Sequence, residues 1–344
     1  MQSGCYTAII TPFSGDGVDY DGLERLVDFQ ITSGITGVLA VGTTGESPAL
    51  SWNEHNQIVE RIAKQTKGKS LCIAGTGSNN TREALEATRH AADAGVDAVL
   101  LVDPYYNGPS SMEIRREYVA PIAAAYPDLQ VIPYVIPGRT GTQLLPEDLG
   151  LLSQQYQNVC CVKEATGNLA NMKRTRTCCG PDFTILSGDD GMTFDMMTDP
   201  DIHAAGVISV ISNVAPAAVT QLVQLLASQK KDQAEALCHD LMPLFGLVTV
   251  STTEKTPFGT VTARFRNPSA IKALMAILGM PCGGCRQPLG RLTPNAVAIV
   301  LDAARKVQAV NADIFKPCAD FFNVDIEARL NDPQNWQDLV YSEY

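Results

Sequence analysis

No apolar run in this chain approaches the roughly 20 residues that a membrane-crossing helix requires, so a membrane-spanning protein is not expected. Positive charge is in short supply: 26 Lys and Arg stand against 37 Asp and Glu, a formal net charge of −11. That balance argues against nucleic acid and anionic membrane surfaces as partners. The opening stretch MQSGCYTAIITPF lacks the basic and apolar regions of a secretory signal. A transit peptide removed ahead of it would leave no trace. Histidine is scarce, with only His55, His90, His203 and His239, and no Ser/His/Asp order suggests itself. His90 and His239 fall in helical stretches and read as structural. No short repeat and no low-complexity segment interrupts the chain.

Cysteine is plentiful by comparison, but the ten residues are not placed as a disulfide framework. Cys160–Cys161 and Cys178–Cys179 are adjacent pairs, and Cys5, Cys72 and Cys160 lie in strand-like apolar runs. Buried thiols of a reducing compartment explain this pattern best. Cys282-Gly-Gly-Cys285 is a lone CxxC, and no second ligand pair follows it at zinc spacing. Neither a metal nor an organic cofactor is expected.

With 344 residues, 45% hydrophobic and 18% charged, the chain suits one large globular domain with additions. Short β-rich runs are read at residues 6–11, 37–41, 71–74, 98–102, 131–136, 159–163, 184–186 and 206–210. Helical spacing is read between them at 21–33, 55–66, from 79, 111–125, 146–155, 169–178 and 192–197, and then at 215–227. Strand and helix alternate throughout, which predicts an α/β fold, a (β/α)8 TIM barrel, over residues 1–228. Further helices are read at 232–250, 269–278 and 294–310, giving a C-terminal helical region over 229–310. Beyond that the pattern weakens into an acidic extension over 311–344.

In such a barrel the chemistry sits at the C-terminal ends of the strands. The stretch NVCCVKEATG at 158–167 ends an apolar run on Lys163. A lysine drawn out of water there loses its charge readily, and a neutral amine attacks carbonyl carbon, which is Schiff-base chemistry. The alternative is a strand-end Lys163–Glu164 pair in solvent. Gly42-Thr43-Thr44-Gly45 offers hydroxyls and backbone N–H groups for an anion, or simply caps a helix. No Gly-Lys-Ser/Thr follows, so it is not a nucleotide P-loop. Tyr105, Tyr106 and Tyr134 are phenols near strand ends, suited to packing or to proton transfer through a threonine hydroxyl. Arg139 can grip a carboxylate with two parallel bonds or make a structural ion pair. Asp189 and Asp190 point in different directions as adjacent residues, and a helix-start role is preferred over metal binding.

These strings fall in one order: GTTGES, PYYN, Tyr134 through PGRTG, VKEATG, SGDD and GVISV. Together they resemble the dihydrodipicolinate synthase family of lysine-dependent pyruvate aldolases, over about residues 3–310. The resemblance implies a (β/α)8 barrel with a C-terminal helical region, assembled as a homotetramer built of two dimers. It implies that Lys163 forms the Schiff base with pyruvate. Tyr134, Thr43 and Tyr106 would form a proton relay, Tyr106 reaching in from a neighbouring subunit. Thr44 would hold the pyruvate carboxylate and Arg139 that of the second substrate, aspartate semialdehyde. Gly188 and Ile208 would line the pocket with backbone. The family usually has Asn after the relay tyrosine, where this chain has Val135, which alters pocket support.

An allosteric site for free lysine is implied at Trp52, His55, Asn79, Glu83 and Tyr105. There Glu83 can pair with an ammonium, while Trp52 offers an apolar face. Asn80 to Glu83 also reads as a helix-capping arrangement. The segments around Trp52 and Asn79 look like the plant branch, so the compartment implied is the cytoplasm for a bacterial source or the plastid stroma for a plant or algal one. Another pyruvate-lysine enzyme, such as N-acetylneuraminate lyase or a keto-deoxy-sugar aldolase, is the alternative. Arg139 favours a small acidic aldehyde over a polyol. A non-catalytic sensor retaining the pyruvate pocket is disfavoured by the intact Lys163, Tyr134, Thr43, Tyr106 and Arg139.

Overall fold

Alternation along the strands decides the architecture. In Gly4–Ala8 (β1), Tyr6 and Ala8 face one way while Cys5 faces the other. Tyr6 and Ala8 belong to an inner cluster with Leu39, Ile73, Leu100, Ile132 and Ile208, and Cys5 packs outward under helices. Strands buried on both faces are the mark of a parallel sheet covered by helices. The structure is a computed structural model and describes residues 1–343; Tyr344, in the expected extension, lies outside the described residues.

Seven more strands follow β1: Gly37–Ala40 (β2), Leu71–Gly75 (β3), Ala98–Val102 (β4), Gln130–Val135 (β5), Cys161–Glu164 (β6), Thr184–Ser187 (β7) and Gly206–Ser209 (β8). Each pairs in parallel with its neighbours in the chain, and β8 returns to β1 to close the barrel. The expected strands are all present, with ends shifted by up to three residues.

The outer helices are Tyr20–Thr32 (α1), Trp52–Thr66 (α2), Thr81–Ala94 (α3), a segment over 111–125 (α4), Pro146–Gln155 (α5), Leu169–Cys179 (α6), Thr193–Thr198 (α7) and Pro216–Ala227 (α8). The segment α4 relaxes into π geometry over Ile114–Val119. Local capping explains several starts. Ser51 and Glu54 form a reciprocal capping box on α2, and Asn80 accepts from Arg82 N at 3.0 Å to open α3.

The region after the barrel departs from expectation. The helix expected over 232–250 is Lys231–Phe245 (α9), and Thr249 and Val250 already belong to a strand. An antiparallel hairpin, Thr249–Thr256 (β9) with Gly259–Arg266 (β10), interrupts what was read as purely helical. Its β-branched, alternating sequence turns at Pro257-Phe258, with Pro where a type I turn favours it. Helices Ser269–Ile277 (α10) and Pro294–Val310 (α11) follow.

The described part of the expected patternless extension, residues 311–343, contains regular structure as well. Lys316–Phe322 (α12) and Ile326–Asn331 (α13) are too short to show a helical period clearly in sequence. Their stability comes from docking: the Phe29 ring of α1 lies 5.3 Å from Phe321 and 5.1 Å from Phe322. Such aromatic pairs contribute about 0.5–1.5 kcal/mol each beyond the area they bury. Arg329 also donates to the carbonyls of Ile277 (2.7 Å) and Ala276 (3.0 Å), satisfying the end of α10. No helix is long and apolar enough to cross a membrane among the described residues.

Candidate active site

Period two carries Lys163 into the barrel. Cys161 belongs to the inner cluster, so the next inward position on β6 is Lys163. On β5 the same step from Ile132 reaches Tyr134, and the register sets Tyr134 directly beside Lys163. The lysine nitrogen stands 4.3 Å from the centroid of the Tyr134 ring. Both side chains are buried, each 5% exposed, so neither is a solvated strand-end residue.

Burial pulls the Lys163 ammonium down from its usual range to about 7; the Asp190 carboxylate opposes the shift and the Arg139 guanidinium adds to it. Burial pushes the Tyr134 phenol up to about 12, with Arg139 and the neighbouring Thr43 side chain pulling the other way. At neutral pH the site therefore offers an amine that is free about half the time and a phenol that keeps its proton.

A cavity of about 300 Å3 opens over this pair. Thr43, Thr44, Tyr134, Arg139, Lys163 and Gly188, all singled out from sequence, line it. Thr43 and Thr44 lie in a tightly folded turn after β2. Val41 there has φ 47, a left-handed conformation that a β-branched side chain adopts only under constraint. Gly45 relieves crowding in this turn: a Cβ would stand 3.1 Å from Val41 Cα and 3.2 Å from Ile9 O, both backbone atoms. Arg139 sits on a helical turn, Pro137–Thr140, that ends at Gly141 with φ 69. Burial and the nearby Arg266 both disfavour its charge, while Tyr134 favours it.

Two of the expected residues are placed elsewhere. Ile208 is buried in the inner cluster and is not part of the cavity wall, to which this segment contributes Val210, just past the end of the strand. Tyr106 is outside the cavity, with φ 86 and 93% of its surface exposed, so its own chain does not bring it to Lys163. Val135, adjacent to Tyr134, points outward into the core between barrel and helices.

The aspartates separate as their adjacency requires. Asp189 accepts from Gly191 N at 3.0 Å and starts the short turn Asp190–Met192. Asp190 is buried and accepts from Ser209 Oγ, from Val210 N (2.8 Å) and from Ile211 N (3.3 Å). Burial still lifts its carboxyl to about 6 against those bonds. Cys282 and Cys285 are both free thiols, and among the described residues no cluster of three or more His, Cys, Asp and Glu could hold a metal ion.

Sequence reading missed the contribution of the hairpin. Arg264, Arg266 and the following Asn267 also line the cavity. Asn267 donates from Nδ2 to Thr44 Oγ1 at 3.0 Å and accepts from Arg139 Nη2 through its carbonyl at 3.4 Å. Arg266 Nη1 donates to Gly138 O at 3.0 Å. The signal was present as two runs of alternating residues around Pro257-Phe258-Gly259.

A second cavity of about 220 Å3 lies beside Tyr105. Trp52, His55, Glu83 and Tyr105 line it, together with Ser78, whose Oγ donates to Glu83 Oε2 at 2.6 Å. Asn79 is exposed and is not part of its wall. Burial holds the His55 imidazole below its usual pKa, against a hydrogen bond between Nε2 and Gly75 O at 2.9 Å.

Comparison with known proteins agrees with this geometry. Residues 1–305 match the model of the dihydrodipicolinate synthetase family. The 4-hydroxy-tetrahydrodipicolinate synthase of Methanococcus maripaludis strain S2 is 41% identical over 288 residues, covering 84% of this chain and 92% of that protein. That of Syntrophus aciditrophicus is 38% identical over 296 residues, covering 86% and 95%. Among solved structures, the 4-hydroxy-tetrahydrodipicolinate synthase of Methylacidiphilum fumariolicum SolV superposes with a TM-score of 0.83 at 35% identity, covering 91% of this chain and 98% of its own. The enzyme of Cyanidioschyzon merolae, solved with lysine bound, superposes at 0.81 with 33% identity, covering 90% and 99%. The chain belongs to the dihydrodipicolinate synthetase family, and is a lyase of the class I aldolase type.

Proposed function

We propose that the chain condenses pyruvate with L-aspartate 4-semialdehyde to 4-hydroxy-tetrahydrodipicolinate, in the diaminopimelate route of lysine biosynthesis. The observation that carries this reading is the buried Lys163 amine, lowered to about 7 and set 4.3 Å over the Tyr134 ring.

The neutral Nζ attacks C2 of pyruvate to form a carbinolamine. Loss of water gives the imine, and loss of a methyl proton gives the enamine. The enamine carbon then bonds to the aldehyde carbon of the second substrate, whose oxygen takes a proton. The product's own amino group attacks C2, closes the six-membered ring and releases Lys163. Tyr134, with its high pKa, acts as a proton carrier in series with Thr43 rather than as a free-standing base. Tyr106 completes the relay from a neighbouring subunit, which accounts for a tyrosine standing free of its own chain. Thr44 holds the pyruvate carboxylate, Arg139 holds that of the semialdehyde, and the working form is a homotetramer.

Free lysine acts as feedback inhibitor in the second cavity. Its support is the set Trp52, His55, Glu83 and Tyr105 around one space, with Tyr105 adjoining the relay tyrosine. The lysine-bound relative from Cyanidioschyzon merolae supports it too.

The test is pyruvate with borohydride, followed by mapping of the reduced adduct, beside turnover of pyruvate with aspartate semialdehyde. The adduct is expected on Lys163. Recovery on another lysine, or faster cleavage of sialic acid or keto-deoxygluconate than condensation, overturns the reading.

A further inference from the structure

The hairpin brings two cations to the cavity that the assignments above leave unused. Arg264 and Arg266 are two residues apart on β10, so the pleat sets both on one face and Phe265 on the other. The register pairs them with Ser251 and Thr249, which makes that face polar. The opposite face is anchored. Buried Glu254 accepts from Thr252 Oγ1 (2.7 Å), Thr293 Oγ1 (2.6 Å) and Asn295 Nδ2 (2.8 Å), fixing the hairpin to the start of α11.

Some arginines have carboxylate partners, as Arg115 with Asp148, Arg174 with Glu147 and Arg286 with Glu54, and others end on backbone carbonyls, as Arg329 does. Among the described residues no carboxylate pairs with Arg139, Arg264 or Arg266, which all line the cavity. Arg139 and Arg266 each give one hydrogen bond to a backbone carbonyl. A guanidinium carries five donors, so most remain available. Asp189 and Asp190 line the same cavity, but neither pairs with these arginines; three guanidiniums against two carboxylates leave an excess of positive charge that a bound anion relieves. The placement also matters for entry, because a chain of net charge −11 repels anions over most of its surface.

We propose that Arg264 and Arg266 form, with Arg139, an anion subsite at the cavity mouth that draws in and holds the carboxylate of the acceptor aldehyde. The identity of that acceptor rests on the function proposed above; the subsite itself rests on the three guanidiniums. Arg139 and Arg266 grip the carboxylate from two sides. Arg264, exposed at the mouth, raises the local concentration of anions and sets the preference for acidic over neutral aldehydes.

The experiment uses the full-length protein with R264Q, R264K, and the double variant R264Q/R266Q. Aspartate semialdehyde kcat/KM is measured against ionic strength, with a neutral aldehyde of similar length as control. Succinate, a four-carbon dicarboxylate with no aldehyde, is titrated calorimetrically onto the pyruvate-loaded protein. The double variant is expected to lose about tenfold or more in kcat/KM for the acidic acceptor, mostly through KM, with a flatter salt dependence. Succinate affinity falls in parallel and R264K keeps it, while the borohydride adduct, whose pyruvate is also an anion, slows by a smaller factor than the acceptor kcat/KM falls. A wild type that binds no succinate, or variants that bind it equally well, overturn the subsite. A wild type inactive on aspartate semialdehyde, whose succinate binding still depends on both arginines, overturns the acceptor assignment and leaves the subsite standing.

Discussion

Lys163 and Tyr134 are register neighbours on β6 and β5, and the lysine nitrogen rests 4.3 Å from the tyrosine ring centroid. The contact makes the two residues one unit. The ring excludes water from the amine, and the same burial holds the proton on the phenol. The lysine shift to about 7 sets a pH dependence whose sign is fixed, because only the neutral amine attacks pyruvate. Adduct formation should be half-maximal near pH 7, level above it, and fall about tenfold per unit below. Rates of borohydride trapping from pH 5 to 9 check this. A midpoint near the ordinary lysine value would mean that the amine is solvated in solution. Lys163→Arg should form no adduct at any pH, since guanidinium stays protonated.

Tyr134→Phe separates the two jobs of the ring. It keeps the apolar face against Lys163 and removes the hydroxyl. Turnover should fall by about 10²-fold or more, the usual scale for a lost proton-transfer group. The midpoint of the trapping profile should stay near its wild-type position. A shift of the midpoint by a full unit would show that the hydroxyl, not the ring, sets the lysine pKa.

How much of this was legible in the sequence follows from how local each signal is. Strand alternation is local, so the barrel and the inward direction of Lys163 could be read from a few residues around Cys161. The hairpin was lost because Thr249 and Val250 extend an apolar helix pattern, and the strand identity shows only once Arg264 and Arg266 are paired across it. The C-terminal helices were lost for a related reason: α12 is held by Phe321 and Phe322 against Phe29, nearly three hundred residues away. Asp190 was read as a helix start, whereas its neighbour Asp189 does that and Asp190 turns inward toward Ser209. Adjacent carboxylates of opposite fate cannot be told apart without the β8 backbone that receives one of them. Tyr106 gives the opposite lesson: its motif singles it out in the sequence, but within its own chain the side chain is 93% exposed and stands outside the cavity.

Gly188 tests how tightly the lysine is held. A Cβ there would stand 2.8 Å from Ala165 Cβ and 3.1 Å from Lys163 Cε. Gly188→Ala should therefore destabilise the fold by only about 1–3 kcal/mol, as overpacking does. Adduct formation should suffer far more, about 10²-fold, because a displaced nucleophile loses its alignment. Urea denaturation and borohydride trapping on the same sample give both numbers. Trapping at the wild-type rate would show that the lysine side chain yields freely.

The proposed lysine inhibition is tested at the second cavity through Glu83 and Trp52. Glu83→Ala removes the carboxylate available to an ammonium, and Trp52→Ala removes the apolar wall packed 5.1 Å from the His55 ring. Each should weaken inhibition by about tenfold or more while pyruvate trapping continues. Coupling between the sites is reciprocal, so pyruvate should change lysine affinity by the factor with which lysine changes pyruvate affinity. Calorimetric titration of lysine with and without pyruvate measures it. Initial rates indifferent to millimolar lysine would remove the assignment.

The threonine turn depends on a charge pair outside the cavity. Glu46, two residues past Thr44, has φ 55 and is buried. Its Oε1 accepts from Lys272 Nζ on α10 at 2.8 Å, and its Oε2 accepts from Arg286 N at 2.8 Å. Lys272 also donates to Thr11 O (3.0 Å) and Gly284 O (2.7 Å), so all three of its protons are used. Both charges are out of water, with side-chain exposures of 2% and 1%. In that setting the intact pair is worth little over an apolar substitute, but removing one partner strands the other. Lys272→Met should therefore destabilise the protein by about 3–5 kcal/mol. Adding Glu46→Gln should recover part of that loss, since the stranded carboxylate goes with it. Pyruvate binding should weaken in the single variant as well, because the turn carrying Thr43 and Thr44 loses its outer support. Urea midpoints of the two single variants and the double variant form the cycle. Additive losses would show that the two residues stabilise the fold independently and that the turn does not rest on their pairing.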